Sequence, residues 1–172
     1  NVPVQNSEVV LDQTNITSGL GNATWQVNQS NRITGFYSRQ RYSKPNRLLN
    51  NASITVTDST SDEEDMFDLL QGQWNTVLGK NFFIDARLGM NSILFPTYQN
   101  GGNQQSLTDN ATGIVYGNFP TNTVRNRDRY QANATGQYYI DQALGGRHEL
   151  RFGFDNSHAV VQNENTRVDD VR

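Results

Sequence analysis

The sequence predicts an all-β chain, an antiparallel up-and-down meander of about six strands, and three observations predict it. Runs with apolar residues at every second position recur along the chain. Short polar or Gly-containing turns join those runs in pairs. Long connections rich in Asn, Ser, Thr, Asp and Gly separate one pair from the next.

Taken in order, "EVVL" (8–11) reads as a strand ahead of the first hairpin, "NATWQVNQSNRITGFYS" (22–38). A polar connection follows over 41–65. The stretch "DEEDMFDLL" that ends it is the one helical candidate, worth a turn or two. The second hairpin is "LLQGQWNTVLGKNFFIDARLGM" (69–90), the second long connection spans 93–125, and the third hairpin is "RYQANATGQYYIDQALGGRHELRFGFD" (129–155). Connections this long are uncommon in a compact domain unless they serve a function or are disordered. An even number of strands separates the two, which places them at the same end of the meander.

Register follows from the turns. With Gly79-Lys80-Asn81 as a three-residue loop and Asn81 left-handed, Leu78 faces Phe82, Thr76 faces Ile84, Trp74 faces Ala86, Gly72 faces Leu88 and Leu70 faces Met90. The same arithmetic sets Trp25 against Gly35 and Gly136 against Phe152, large rings over glycines.

Every strand then has one apolar and one strongly polar face. In a soluble sandwich the apolar face points inward. In an outer-membrane barrel the apolar face meets lipid and the polar face lines the lumen. Strands of about ten residues are long enough to cross a bilayer when tilted. Short and long connections alternate as they do in membrane barrels. Small residues such as Gly72, Ala132 and Gly136 on the apolar face fill a sandwich core poorly. On the barrel reading Trp25, Val27, Trp74, Leu78, Phe82, Ile84, Ala86, Leu88, Met90, Tyr138, Ile140, Leu150, Phe152 and Phe154 face lipid. Asp85, Arg87, Arg125, Arg127, Arg129, Gln131, Asn133, Gln137, Glu149, Arg151 and Asp155 face the lumen. Trp25, Tyr37, Trp74, Tyr130 and Tyr138 are candidates for interfacial belts.

Composition sets bounds. The chain has 172 residues, 34% of them hydrophobic, and a mean hydropathy of -0.72, so a large dry core is thinly supplied. Aromatics at 10% argue against simple disorder. The net charge of -3 and the scattered basic residues give no nucleic-acid footprint. The absence of cysteine removes disulfides, thiolate metal sites and cysteine nucleophiles. The chain opens Asn1-Val2-Pro3-Val4 without a signal segment and closes "NTRVDDVR" without a terminal aromatic strand, which reads as an internal piece of a longer protein.

"TWQVNQSNRITGFYSRQRYSKPNR", "NFFIDARLGM" and above all "GGRHELRFGFD" resemble barrel segments of TonB-dependent outer-membrane receptors, in particular those whose plug follows a carboxypeptidase-regulatory-like domain. The resemblance spans most of residues 20–160. It implies a bacterial outer-membrane barrel of about 22 strands around a plug, of which residues 1–172 supply about six. It implies uptake of a solute, with outer-membrane lipid, the remaining barrel and plug, and a TonB-type energy-coupling protein acting through that plug as partners. No Ton box, plug or closing strand is matched within these residues.

No catalytic motif is present: there is no G-x-S-x-G elbow, P-loop or dinucleotide fingerprint, and neither an enzyme nor a cofactor is expected. "DSTSDEED" offers Asp62, Glu63, Glu64 and Asp65 to a hard cation such as calcium. Its spacing lacks the Gly and terminal Glu of an EF-hand loop, so a solvated acidic loop is the plainer reading. Asn-x-Ser/Thr sequons at Asn15, Asn22, Asn28, Asn51, Asn110 and Asn133 follow from a composition rich in Asn and Thr. Arg125, Arg127 and Arg129 share a parity and form a basic ladder, which either guides an anionic solute or pairs with neighbouring carboxylates. The pattern leaves two other classes open: a soluble β-rich binding or adhesion module, and a self-assembling, fibre-forming protein.

Overall fold

The structure, a computed structural model, describes residues 13–47, 57–143 and 145–167. In chain order the strands are β1 (Asn15–Asn28), β2 (Asn31–Arg47), β3 (Ser61–Leu78), β4 (Phe82–Gln99), β5 (Ser106–Thr108), β6 (Val115–Gly117), β7 (Asn122–Ala143) and β8 (Gly146–Thr166). A 3-10 turn at Thr57–Ser59 is the only helical piece among the described residues. Strands β1, β2, β3, β4, β7 and β8 form one antiparallel sheet in that order, and β5 pairs with β6 apart from it. The six-stranded meander is therefore present. The sheet is open, with β1 and β8 as its edges.

The strands outrun their expected length. They reach 14 residues in β1, 18 in β3 and β4, and 22 in β7. Much of each expected long loop is therefore strand: residues 41–47 and 61–65 of the first, and 93–99 and 122–125 of the second. "DEEDMFDLL" is not helical but part of β3. Extended backbone gives its charges partners that a helix would deny them. The Asp62 carboxylate accepts from the Asn46 amide at 2.9 Å and from Asn100 Nδ2 at 2.8 Å, and Glu63 pairs with Arg47 at 3.0 Å. "EVVL" lies outside the described residues.

The two connections meet at one end of the sheet, as the meander requires. Gln104 Nε2 donates to Asp58 at 3.2 Å, and Ser59 Oγ donates to the Gly117 carbonyl at 3.2 Å. Buried Asn118 organises the second connection: its Oδ1 accepts from the Gly101 and Phe119 amides, each at 2.9 Å, and its Nδ2 donates to the Gly102 carbonyl. A buried amide whose donors and acceptor are used in this way fixes the loop path without leaving polar groups stranded.

Register matches expectation in two hairpins and departs from it in the first. Leu78 pairs with Phe82, Thr76 with Ile84, Trp74 with Ala86, Gly72 with Leu88 and Leu70 with Met90. Gly136 pairs with Phe152. Trp25, however, pairs with Ile33, and Gly35 faces Ala23. The cause is a tight turn at Gln29-Ser30 with a register shift between Gln26 and Asn28. The Asn28 carboxamide oxygen takes the place of a turn glycine, accepting from the Ser30 and Asn31 amides at 2.9 Å each. In the second turn the left-handed residue is Gly79 at φ 68°, not Asn81. Gly79 lacks a Cβ and adopts that conformation at no steric cost.

Candidate functional site

Antiparallel register and the strand pleat assign every side chain of the sheet to one of two faces. The Leu88 face carries Trp25, Ile33, Trp74, Ala86, Ala134 and Phe154 in a single cross-strand row. On the turn side of that row stand Thr76, Ile84, Gly136 and Phe152, then Leu78, Phe82, Tyr138 and Leu150. Beyond it stand Gly35, Gly72, Leu88 and Ala132, then Tyr37, Leu70, Met90, Tyr130 and His158. Ile140, opposite His148, completes the apolar set near the third turn. Val27 falls at the register shift of β1 and holds no fixed place in a row.

This face is apolar and uncovered. Leu88 is 68% exposed, Phe154 62% and Phe152 58%, values far above those of a packed core. From Leu78 to Leu70 the band runs about 26 Å along the strand, or ~20 Å in projection at a tilt of ~40°. Tyr138 marks its turn edge, and Tyr37 and Tyr130 mark the other. The two tryptophans sit in the middle row by register, away from the belt position expected for them. At that level the Trp74 indole N–H donates to Asn31 Oδ1 at 3.0 Å, while Asn31 Nδ2 donates to Asn28 Oδ1 at 3.0 Å.

The Arg87 face carries all the residues expected to be polar: Asp85, Arg87, Gln131, Asn133, Gln137, Glu149, Arg151, Asp155 and the three arginines 125, 127 and 129. Asp85 is its hub. One carboxylate oxygen accepts from Gln73 Nε2 and Asn75 Nδ2 at 2.6 Å each, and the other is 2.8 Å from Arg87 Nε. Beside it a depression of about 420 Å³ is lined by Gln71, Gln73, Arg87, Gln131 and Asn133.

Sequence reading missed an inversion of polarity along the strands. Past the row of Leu70 and Met90, the Leu88 face turns polar with Arg39, Asp68, Ser92 and Asp128 in one row. Arg39 grips the Asp68 carboxylate with two nitrogens at 3.0 Å each, Tyr37 Oη donates to it at 2.6 Å, and Ser92 Oγ donates to Asp128 at 2.6 Å. Met66 and Leu94, Val160 at the β8 end of that row, and Pro96 and Val124 further up are the apolar remainder there. Over the same stretch the Arg87 face gains Leu20, Phe67, Leu69, Ile93, Phe95, Ala159 and Val161, while Arg125, Arg127 and Arg129 keep β7 basic on that face. Phe67 and Phe95 meet edge to face at 5.5 Å.

Within that upper region Asp65 is buried, and one carboxylate oxygen has no hydrogen-bond partner. Burial, reinforced by the charge of Glu63 and opposed by Arg47, pushes its carboxyl up to about 6. Asp62 and Glu64 point to the face opposite Glu63 and Asp65, so the acidic run does not converge on one point. Among the described residues no group of three or more side chains is arranged to hold a metal ion. The arginine ladder divides by partner: the Arg127 guanidinium lies 5.6 Å from the Phe95 ring centroid, and Arg129 Nε donates to Ser157 Oγ at 3.0 Å.

Comparison of the chain with protein-family models, with curated proteins and with solved structures gives no match in any of the three.

Proposed function

We propose that this chain forms part of the wall of an outer-membrane barrel, that of a TonB-dependent receptor, and that the parent protein takes up a solute across the outer membrane. The Leu88 face meets lipid through residues 70–78, 82–90, 130–140 and 148–154, and the Arg87 face lines the lumen. The observation that carries this reading is the polarity inversion. A soluble sandwich keeps one face inward, hence apolar, along the whole strand. A wall that leaves the bilayer partway along its strands meets lipid on one face below the boundary and water on that same face above it. The open edges of β1 and β8 leave backbone N–H and C=O groups that further strands of a barrel would pair. The receptor assignment rests on the resemblance of "GGRHELRFGFD" and its companions alone.

The two tryptophans, Trp25 and Trp74, test the membrane part directly. Refolded into vesicles whose acyl chains are brominated near their middle, both are expected to lose fluorescence, because both occupy the middle row. Quenching by aqueous iodide with none by the brominated lipid would overturn the reading. A chain that is monomeric and cooperatively folded in plain buffer would favour the soluble module, and fibres in plain buffer the self-assembling one.

A further inference from the structure

On the Arg87 face, above the apolar level, the ends of β2, β4, β7 and β8 line an open cavity of about 640 Å³ together with the segment that enters β7. Its floor is one row of the sheet, in which Thr97 pairs with Thr123 and Thr123 with Asn165. Phe119 gives it an apolar wall, and Arg47, Arg125 and Arg167 line it with three guanidinium groups. No carboxylate lines it. Arg47 pairs with Glu63 at 3.0 Å, which stands beside Thr97 at the end of the floor row, and among the described residues neither Arg125 nor Arg167 has an ion-pair partner. The cavity thus singles out Arg125 from its ladder, since Arg127 is engaged by Phe95 and Arg129 by Ser157.

We propose that this cavity binds a small organic anion bearing two or more carboxylate or phosphate groups. Its volume falls within the ~300 to 1,000 Å³ usual for small-molecule sites, with few polar groups set beside an apolar wall. Planar guanidinium forks match carboxylate and phosphate oxygens in pairs, and a multivalent anion relieves Arg125 and Arg167, the two cations there that no carboxylate pairs. Threonine hydroxyls and the Asn165 amide add neutral contacts that orient such a guest. The site depends on the sheet alone and stands whether or not the Leu88 face meets lipid.

Calorimetric titration of the full chain in non-ionic detergent tests this, with citrate as the carboxylate probe, fructose 1,6-bisphosphate as the phosphate probe and triethyl citrate as the neutral control. Saturable binding of at least one anion and none of the ester is expected, the tighter probe naming the anion class. Arg125→Gln should weaken that binding by about tenfold or more, as loss of a charged hydrogen-bonding partner does. Arg129→Gln, which removes the same charge outside the cavity, should leave it within about twofold. Binding of neither anion, equal binding of the ester, or equal weakening by both substitutions would overturn the proposal. The comparison of citrate with its ester needs no substitution and decides the matter even if a variant fails to fold.

Discussion

The ring of Phe152 lies directly over Gly136 across the β7–β8 pair: a Cβ at position 136 would stand 2.7 Å from two carbons of that ring and 3.2 Å from the Phe82 ring. Phe82 and Phe152 stack at 6.0 Å, so the Phe152 ring, itself 58% exposed, can make room for a methyl only by giving up part of that stack. Gly136→Ala is therefore expected to destabilise the sheet by roughly 0.5 to 1.5 kcal/mol, the usual worth of an aromatic pair that must separate. Combined with Phe152→Ala the penalty should shrink, which a double-mutant cycle by urea unfolding in detergent measures. A Gly136→Ala penalty that does not depend on Phe152 would refute the contact.

That contact was legible in the sequence, because the alternation of "GQYYI" and "LRFGF" and the Gly-Gly turn between them allow one register only; a slip by one residue would put Arg151 among the rings. The first hairpin was less legible. Its turn carries no glycine, and the Asn28 carboxamide that replaces one leaves no signature distinct from the surrounding asparagines. The polarity inversion was hidden for a different reason. Each strand reads as alternating throughout, and the change of the Leu88 face from apolar to polar shows only when Asp68, Ser92 and Asp128 are set side by side from three strands. The arginine cavity was likewise out of reach, since Arg47, Arg125 and Arg167 are far apart in the chain.

The hydrogen bond from Trp74 Nε1 to Asn31 Oδ1 supplies a second prediction. If the Leu88 face meets lipid as proposed, no water serves the indole and its donor needs this partner. Asn31→Ala should cost about 1 to 3 kcal/mol, the penalty of a desolvated donor left unpaired. Adding Trp74→Phe, which removes the donor, should restore most of that loss. Unfolding of the single and double variants in vesicles gives the comparison, and a double variant no better than Asn31→Ala would contradict it.

Asp65 predicts a pH dependence whose sign is fixed by the direction of its shift. Its carboxyl is raised from 3.8 to about 6, so between those values the folded chain binds more protons than the unfolded one. Stability attributable to this group is then highest below the unfolded pKa and falls as pH rises towards the folded value, by up to about 3 kcal/mol. Asp65→Asn should remove that component and be the more stable form above neutral pH. The difference between the two unfolding free energies, followed from pH 3.5 to 7.5, reads it out; a difference that stays flat across this range would show that the buried carboxyl titrates normally.

Ala86 and Arg87 are neighbours in β4 that face opposite ways, and together they decide which side of the sheet is wet. Ala86 lies between Trp74 and Ala134 in the middle row of the apolar band. Against lipid, Ala86→Arg buries a charge near the bilayer midplane and should cost about 2 to 4 kcal/mol. Against water the same substitution on a half-exposed strand would cost little, because the long side chain would simply extend into solvent. Arg87 points the other way, its side chain 58% exposed and 2.8 Å from Asp85. Exposed ion pairs of this kind contribute little, so Arg87→Ala should cost about 1 kcal/mol or less. Asp85 keeps Gln73 and Asn75 as donors after that change, which limits the loss further. Reversible unfolding in lipid vesicles yields both values from one preparation. A larger penalty at Arg87 than at Ala86 would invert the assignment of the faces, and equal small penalties would remove the bilayer from the argument.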